Sequence, residues 1–196
     1  MDKILENLQN GEAVILPTET VYGLFAKAFD EAAVNHVYSL KKRPRDKAMN
    51  LNVANLQTIY DYSEDQPIFL KKLYEAFLPG PLTIILKANE KVPAWINSGM
   101  GTVGFRVPAY QPTLEVIRRC GVLIGPSANI SGQASGQFFD EIRTQFDKDL
   151  VGIKDDAALT GQDSTILDLS DSTARILRQG AITKEELLQS IPELKF

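Results

Sequence analysis

A short apolar run that ends in hydrogen-bonding side chains is the first part of this sequence able to do chemistry. Residues 14–16 are too few for a helix and are typical of a buried strand, which Pro17 ends by removing a backbone donor. The five residues 18–22 then carry four hydrogen-bonding side chains. Ligands of α/β proteins bind beyond strand ends. The segment therefore predicts either a ligand-binding loop or an ordinary capped loop between a strand and a helix.

A second polar segment, residues 125–132, follows the apolar run 122–124. Its small side chains and backbone amides could cradle an anion, or they could simply form a turn. Ser127 has no evident base beside it, because the only histidine, His36, falls within a predicted helix. The sequence therefore argues against a Ser-His-Asp hydrolase and against a histidine-zinc enzyme.

Five cations lie within the seven residues 41–47. A charge run is most often a solvated face. Here, however, the whole chain carries a net charge of −4, and the run begins at the end of a predicted helix, beside Tyr38. Pro44 also restricts its backbone. We therefore expect contact with phosphate or nucleic acid, and the chemistry left open is positioning by cations, as in phosphoryl and nucleotidyl transfer.

Residues 99–104 match the glycine spacing of dinucleotide-binding proteins. That motif must follow a strand and open a helix. Here it follows a loop that contains Pro93 and Trp95 and opens a predicted strand, so we reject a dinucleotide site. The sequence contains no Walker A motif, which excludes a P-loop nucleotide site.

Composition limits the class of protein. With 196 residues, 44% of them hydrophobic, the chain is expected to form one soluble globular domain, residues 1–196. The single cysteine, Cys120, argues against a disulfide framework and fits a reducing cytoplasm. The N-terminus does not resemble a signal peptide and no apolar run reaches membrane-span length. We therefore expect a cytoplasmic protein without membrane contacts.

The hydrophobic patterns alternate between helical and strand spacing along the chain. Asp2 is expected to cap the first helix, and Thr183 with Glu186 forms a capping box for the last one. Further helices are predicted from Asp30, from Pro67, over 113–119 and over 138–146. Strands are predicted at 14–16, 51–53, 82–86, 103–107 and 122–124, with a hairpin of 165–169 and 174–177. This interleaving predicts an α/β fold, and the hairpin indicates a mixed rather than a purely parallel sheet.

These motifs together resemble the YrdC/Sua5/YciO family, the threonylcarbamoyl-AMP synthases. The family's opening signature is matched by residues 17–24, Pro-Thr-Glu-Thr-Val-Tyr-Gly-Leu. The other matches are Lys41-Lys42-Arg43, residues 79–83, residues 104–108, Ser127-Ala128-Asn129, Ser131-Gly132, Ser164-Thr165 and residues 177–180. Each match is weak alone, but together they span nearly the whole chain in order and are highly specific.

The resemblance implies a twisted mixed β-sheet with flanking helices that encloses a positively charged cavity. It implies condensation of L-threonine, bicarbonate or CO₂, and ATP to threonylcarbamoyl-AMP and pyrophosphate. Other proteins would then transfer the threonylcarbamoyl group to tRNA in t6A modification. ATP is implied as a substrate together with Mg²⁺, and no protein side chain is implied as a metal ligand.

Carried over by position, the resemblance assigns three sets of residues. The catalytic set is Lys41, Arg43, Ser127 and Asn129. The threonine site is Thr20, Asn52, Arg106, Gly125 and Ser164. The ATP site is Arg43, Lys47, Thr102, Ser127, Ser135 and Arg178. Strand alternation predicts that Arg106 points away from the face of its apolar neighbours and into the cavity. There it would pair with the threonine carboxylate rather than with an acidic residue of the protein.

The sequence also departs from the family pattern and leaves alternatives open. Ala48-Met49 stands where Pro-Leu is usual, Asn52 where histidine is usual, and Phe25 where glycine is usual. Gly125-Pro126 replaces small or threonine residues. One alternative is a YciO-like paralogue that has a nucleotide site but another reaction. Another is a non-catalytic module that binds tRNA or double-stranded RNA, with an affinity that falls steeply with salt.

Overall fold

A computed structural model describes residues 1–146 and 149–196. In these residues the helices are α1 (Asp2–Gln9), α2 (Glu31–Leu40), α3 (Leu56–Asp61), α4 (Leu70–Phe77), α5 (Ala94–Asn97), α6 (Gln111–Cys120), α7 (Phe139–Thr144) and α8 (Lys184–Ser190). The strands are β1 (Val14–Pro17), β2 (Tyr22–Lys27), β3 (Leu51–Asn52), β4 (Ser63–Glu64), β5 (Leu82–Ala88), β6 (Thr102–Arg106), β7 (Leu123–Ile124), β8 (Thr165–Asp168) and β9 (Arg175–Arg178). Within the described ranges, no helix is long and apolar enough to cross a membrane.

These strands form one open, twisted sheet in the order β1-β2-β7-β3-β6-β5-β8-β9, with β4 paired to β5. The pairs β3–β6 and β5–β8 are parallel, and the other pairs are antiparallel. The predicted α/β class and the predicted mixed sheet are therefore confirmed. Strands that are distant in sequence are neighbours in this order, so side chains from distant parts of the chain can line the same cavity.

The two faces of the sheet have different roles, because successive side chains of a strand point to opposite faces. One face carries the larger hydrophobic core, built from Leu24, Leu51, Ile84, Phe105 and Leu167 with residues of α2 and α4. The opposite face carries a smaller cluster against α1 and α6. Its buried members are Ile4, Leu5, Leu8, Val14, Leu16, Phe25, Val116, Ile117 and Leu123. Beyond this cluster the same face carries polar residues.

Several predicted elements differ from the structure. Asp2 lies inside α1, and the N-cap position is Met1, which makes no side-chain cap bond. Residues 18–22 lead into strand β2 rather than directly toward a helix, because Tyr22–Lys27 pairs with both β1 and β7. Helix α4 begins at Leu70 rather than at Pro67, and the apolar Ile68 is 99% exposed. The predicted helix 138–146 is α7, which ends at Thr144.

Candidate functional site

A polar cavity of about 160 Å³ opens on the face of the sheet that carries the smaller hydrophobic cluster. It lies beside that cluster and is partly open to solvent. Strands β3, β5, β6, β8 and β9 contribute to it, as do the loops after α2 and β7. The lining residues are Val21, Arg43, Ala48, Met49, Asn50, Asn52, Thr83, Arg106, Gly125, Pro126, Ser127, Asp163, Ser164, Ile166 and Arg178.

The register of the sheet brings several of these side chains into one row. Asn52 lies opposite Arg106 in the parallel pair β3–β6. Thr83 on β5 lies opposite Ile166 on β8, and Ile166 lies opposite Arg178 on β9. The antiparallel register of β5 and β6 completes the row by setting Thr83 beside Arg106. One face of five adjacent strands therefore presents two arginines, an amide and a hydroxyl to the same space.

Arg106, next to Asn52 in the row, is held by the loop between β1 and β2. Its Nη2 donates to Thr20 Oγ1 at 2.6 Å and to Glu19 Oε1 at 2.8 Å. The other carboxylate oxygen of Glu19 accepts from the backbone N–H of Ala109 at 2.9 Å. The prediction that Arg106 would have no acidic partner in the protein was wrong, because Glu19 forms an ion pair with it from the β1–β2 loop. Among the described residues, Arg106 Nε is buried and has no hydrogen-bond acceptor.

Lys41 lies behind the cavity wall, not in the cavity. Its ammonium donates to the carbonyl oxygens of Ser127 at 2.5 Å and Asn129 at 2.6 Å, and the residue is 1% exposed. Burial, with a smaller contribution from Arg43, lowers the pKa of Lys41 to about 7. The side chain therefore fixes the turn that presents Ser127 to the cavity. Direct contact of Lys41 with phosphate stays a prediction.

The basic segment 41–47 folds back on itself at the cavity rim. Arg43 Nε donates to the carbonyl of Lys47 at 3.0 Å, and its Nη2 donates to the carbonyl of Ala48 at 2.8 Å. Burial lowers the pKa of Arg43 below its ordinary value. Arg45 instead lies over the Tyr38 ring, 4.4 Å from its centroid, on the outside of the segment. Of these cations, Arg43 faces the cavity.

A second arginine and a pair of hydroxyls lie at the other end of the row. Arg178 Nε donates to Ser164 O at 3.0 Å and its Nη2 donates to Ser164 Oγ at 3.1 Å. The hydroxyls of Ser164 and Thr83 are also 3.1 Å apart. Asp163 Oδ2 lies 3.6 Å from Arg178 Nη1. The hydroxyls of Ser164 and Thr83, which can donate or accept hydrogen bonds, therefore lie beside the guanidinium of Arg178, which is partly exposed.

A strap of residues 155–161 crosses over the first polar loop and fastens it. Tyr22 Oη donates to Asp156 Oδ1 at 2.7 Å and accepts from the backbone N–H of Asp155 at 2.9 Å. The strap also donates backbone N–H groups to the carbonyls of Glu19 and Thr20, at 3.0 Å and 2.9 Å. Burial, reinforced by the hydrogen bond to Asp156, raises the pKa of Tyr22. Because the strap holds Glu19 and Thr20, it indirectly positions the Arg106 guanidinium.

The structure brings together seven of the thirteen residues that the sequence assigned to the site. Those lining the cavity are Arg43, Asn52, Arg106, Gly125, Ser127, Ser164 and Arg178. Thr20 contacts Arg106 from behind, and the side-chain amide Nδ2 of Asn129 holds the 127–129 turn by donating a hydrogen bond to Gln133 O at 2.8 Å. Lys47, Thr102 and Ser135 lie outside the cavity wall. Sequence reasoning did not assign Glu19, Thr83 or Asp163, although Glu19 stands within the Thr-Glu-Thr signal.

Comparison with known proteins gives consistent results. The model of the Sua5/yciO/yrdC family, described as "Telomere recombination", matches residues 6–180. The chain is 34% identical over 190 residues to the threonylcarbamoyl-AMP synthase of Pyrococcus abyssi, covering 96% of this chain and 56% of that protein. It is 36% identical over 183 residues to the Bacillus subtilis threonylcarbamoyl-AMP synthase, covering 92% and 53%. The chain thus spans little more than half the length of these relatives.

Two solved structures resemble the fold closely. P. abyssi Sua5 complexed with L-threonine superposes with a TM-score of 0.91 at 33% identity, covering 98% of this chain and 57% of that one. E. coli YciO superposes with a TM-score of 0.83 at 22% identity, covering 94% and 91%. At that identity the YciO likeness supports the shared fold alone.

Proposed function

Because this chain belongs to the Sua5/YciO/YrdC family, we propose that it is an L-threonylcarbamoyl-AMP synthase. It condenses L-threonine, bicarbonate or CO₂, and ATP, and it releases pyrophosphate. The product would feed t6A modification of tRNA, with transfer by other proteins in the cytoplasm. Both named relatives are threonylcarbamoyl-AMP synthases, and a similar structure holds L-threonine.

The single observation that carries the proposal is the state of Arg106. Its Nη2 is anchored by Glu19 and Thr20, while its buried Nε has no acceptor among the described residues. Arg106 lines the cavity and its side chain is 13% exposed, so a ligand carboxylate can pair with the exposed part of the guanidinium. We therefore place the threonine carboxylate at Arg106, with Asn52 and the Gly125 backbone beside it.

We place the reacting phosphates between Arg43, Ser127 and Arg178. Sites that enclose whole small molecules usually have volumes of roughly 300–1,000 Å³, whereas this cavity has about 160 Å³. The cavity therefore suits threonine and the reacting phosphate, and the rest of the nucleotide would extend through its opening. Lys47, Thr102 and Ser135 are assigned to that outer part. Mg²⁺ would enter with ATP as part of the substrate.

The reaction needs alignment and charge neutralisation more than proton transfer. Threonine and CO₂ give N-carboxythreonine, whose carbamate oxygen attacks the α-phosphorus of ATP while the bond to pyrophosphate breaks. Negative charge gathers on the phosphate oxygens in this step, and prearranged arginines stabilise it without reorganising. Holding the carbamate in line with the leaving group supplies the remaining advantage. In this arrangement Arg43 and Arg178 neutralise charge, and Lys41 and Asn129 fix the turn that carries Ser127.

The test is pyrophosphate release by the purified chain with ATP, Mg²⁺, bicarbonate and L-threonine. Threonine-dependent release is expected, together with loss of it in Arg106→Met but not in the matched surface variant Arg118→Met, whose side chain is 50% exposed. ATP binding without threonine dependence would contradict the proposal and favour a YciO-like paralogue. RNA binding that is indifferent to ATP and weakens steeply with salt would instead favour the RNA module.

A further inference from the structure

The wall between the smaller hydrophobic cluster and the cavity contains an aromatic ring packed between two glycines. Strands β2 and β7 pair Ala26 with Ile124, and a bridge pairs Gly23 with Ser127 in the same register. That register sets Phe25 directly opposite Gly125. Directly opposed residues of antiparallel strands present their side chains on the same face and in contact. The Phe25 ring therefore lies across a residue that has no side chain.

The ring leaves no room for a side chain at either glycine. A Cβ placed on Gly125 would lie 2.5 Å from Phe25 Cε1, and a Cβ placed on Gly23 would lie 2.5 Å from Phe25 Cε2. Phe25 has no exposed surface and is enclosed by the smaller cluster. A close-packed interior does not let a ring move aside cheaply. The two glycines are thus required by the aromatic residue.

Asn52, which lines the cavity, also approaches Gly125. The Cβ placed on Gly125 would also lie 2.7 Å from Asn52 Nδ2, so the amide occupies the remaining space beside Gly125. Asn52 and Gly125 both line the cavity, and Asn52 is opposite Arg106 in the sheet. The ring, the bare glycine and the amide therefore form one packed layer, and a change in any of them must be accommodated by the others.

We propose that Phe25 is a positioning residue that sets the size of the amino-acid subsite. Resting on the proposed function, this inference holds that the ring keeps Asn52 pressed toward Arg106, which limits the length of the substrate side chain. A smaller residue at 25 would let Asn52 retreat into the vacated space. A side chain at 125 would instead push Asn52 into the cavity, unless residue 25 is made smaller at the same time.

The experiment compares Phe25→Val, Gly125→Ala and the double variant with the parent chain. Substrates are threonine and β-hydroxynorvaline, which is threonine lengthened by one carbon. Phe25→Val is expected to raise the specificity-constant ratio for β-hydroxynorvaline over threonine by about tenfold or more, the lower range for one methylene. Gly125→Ala is expected to raise the threonine KM with the ATP KM unchanged. The double variant should recover most of that loss, as expected for coupled neighbours.

Val14→Ala is the matched control, because Val14 is opposite Phe25 on β1, fully buried in the same cluster and one strand farther from the cavity. It should lower the melting temperature without changing the substrate ratio. An unchanged ratio in folded Phe25→Val, or a double variant no better than Gly125→Ala, would overturn the inference while leaving the synthase proposal standing. A parent chain that is inert with both amino acids would instead refute the proposed function.

Discussion

Replacing Lys41 with methionine tests whether the buried ammonium serves the 127–129 turn. Methionine is one atom shorter and keeps most of the volume, but it removes both hydrogen bonds to the carbonyls of Ser127 and Asn129. The folded-state pKa of Lys41 is about 7, below the ordinary value of 10.5. Between these values the unfolded chain binds a proton that the folded chain does not. The unfolding free energy of the parent therefore rises as pH rises through this window. Below pH 7 it does not depend on this group, because Lys41 is protonated in both states.

The magnitude follows from the size of the pKa shift. Each pH unit between 7 and 10.5 adds about 1.4 kcal/mol to the unfolding free energy of the parent. From about pH 6 to about pH 9 the advantage of the parent over Lys41→Met should grow by about 2.7 kcal/mol, nearly all of it above pH 7. Near pH 9 the lost bonds are those of a neutral amine, about 0.5–1.5 kcal/mol each. The advantage at pH 9 is then about 1–3 kcal/mol, and it approaches zero or reverses near pH 6.

Urea unfolding of parent and variant across this pH range measures the difference, and groups shared by both proteins cancel. Lys42→Met is the matched control, because Lys42 is exposed and should give no slope. An advantage that does not change with pH would refute the reasoning and would mean that the two carbonyls keep Lys41 charged throughout. Activity provides a second readout. If the turn needs its anchor, Lys41→Met should lose pyrophosphate release at the pH where its stability equals that of the parent.

Other substitutions test the ATP end and the threonine end of the cavity separately. Arg43→Ala should weaken ATP binding by about 1.5–3 kcal/mol in a calorimetric titration, and Arg45→Ala, which removes an exposed neighbour, should not; equal ATP affinity would remove Arg43 from the site. Arg106→Lys keeps the charge but loses the fork, so it should raise the apparent threonine constant and leave ATP binding intact; the reverse pattern would contradict the assignment. Asn52→His should keep threonine-dependent activity at about pH 8 and make that activity depend on pH near the histidine pKa of ~6.5. A large gain in threonine use would instead show that the parent site had changed its substrate.

Sequence reasoning succeeded where the controlling physics is local. Strand alternation needs only the neighbours of Arg106 to indicate which face it occupies, and the capping box of α8 formed as predicted, with Thr183 and Glu186 bonded to each other. The α/β class likewise follows from the order of hydrophobic patterns. These features depend on a few consecutive residues, so one sequence carries enough information to predict them.

The rest depends on pairings that local patterns do not encode. Glu19 and Arg106 are 87 residues apart and meet only because β6 lies three positions from β2 in the sheet. The strand Tyr22–Lys27 was missed because it begins within the polar segment, at Tyr22 and Gly23, and its two hydrogen-bonded neighbours come from different parts of the chain. The need for glycine at 125 likewise follows from Phe25 across the strand pair, which no local spacing reveals.

The pairing of Arg106 with Glu19 explains how a nearly buried guanidinium can stay charged in the protein without a ligand. A buried charge without a partner is strongly unfavourable, and Glu19 removes most of that cost at 2.8 Å. The partner engages one edge of the guanidinium, while Nε stays without an acceptor in the described part of the chain. That unmade bond lowers stability by about 1–3 kcal/mol. A ligand carboxylate that reaches Nε would recover the same free energy. Holding the donor in place before binding therefore trades stability of the free protein for affinity, which is the arrangement expected of a preorganised site.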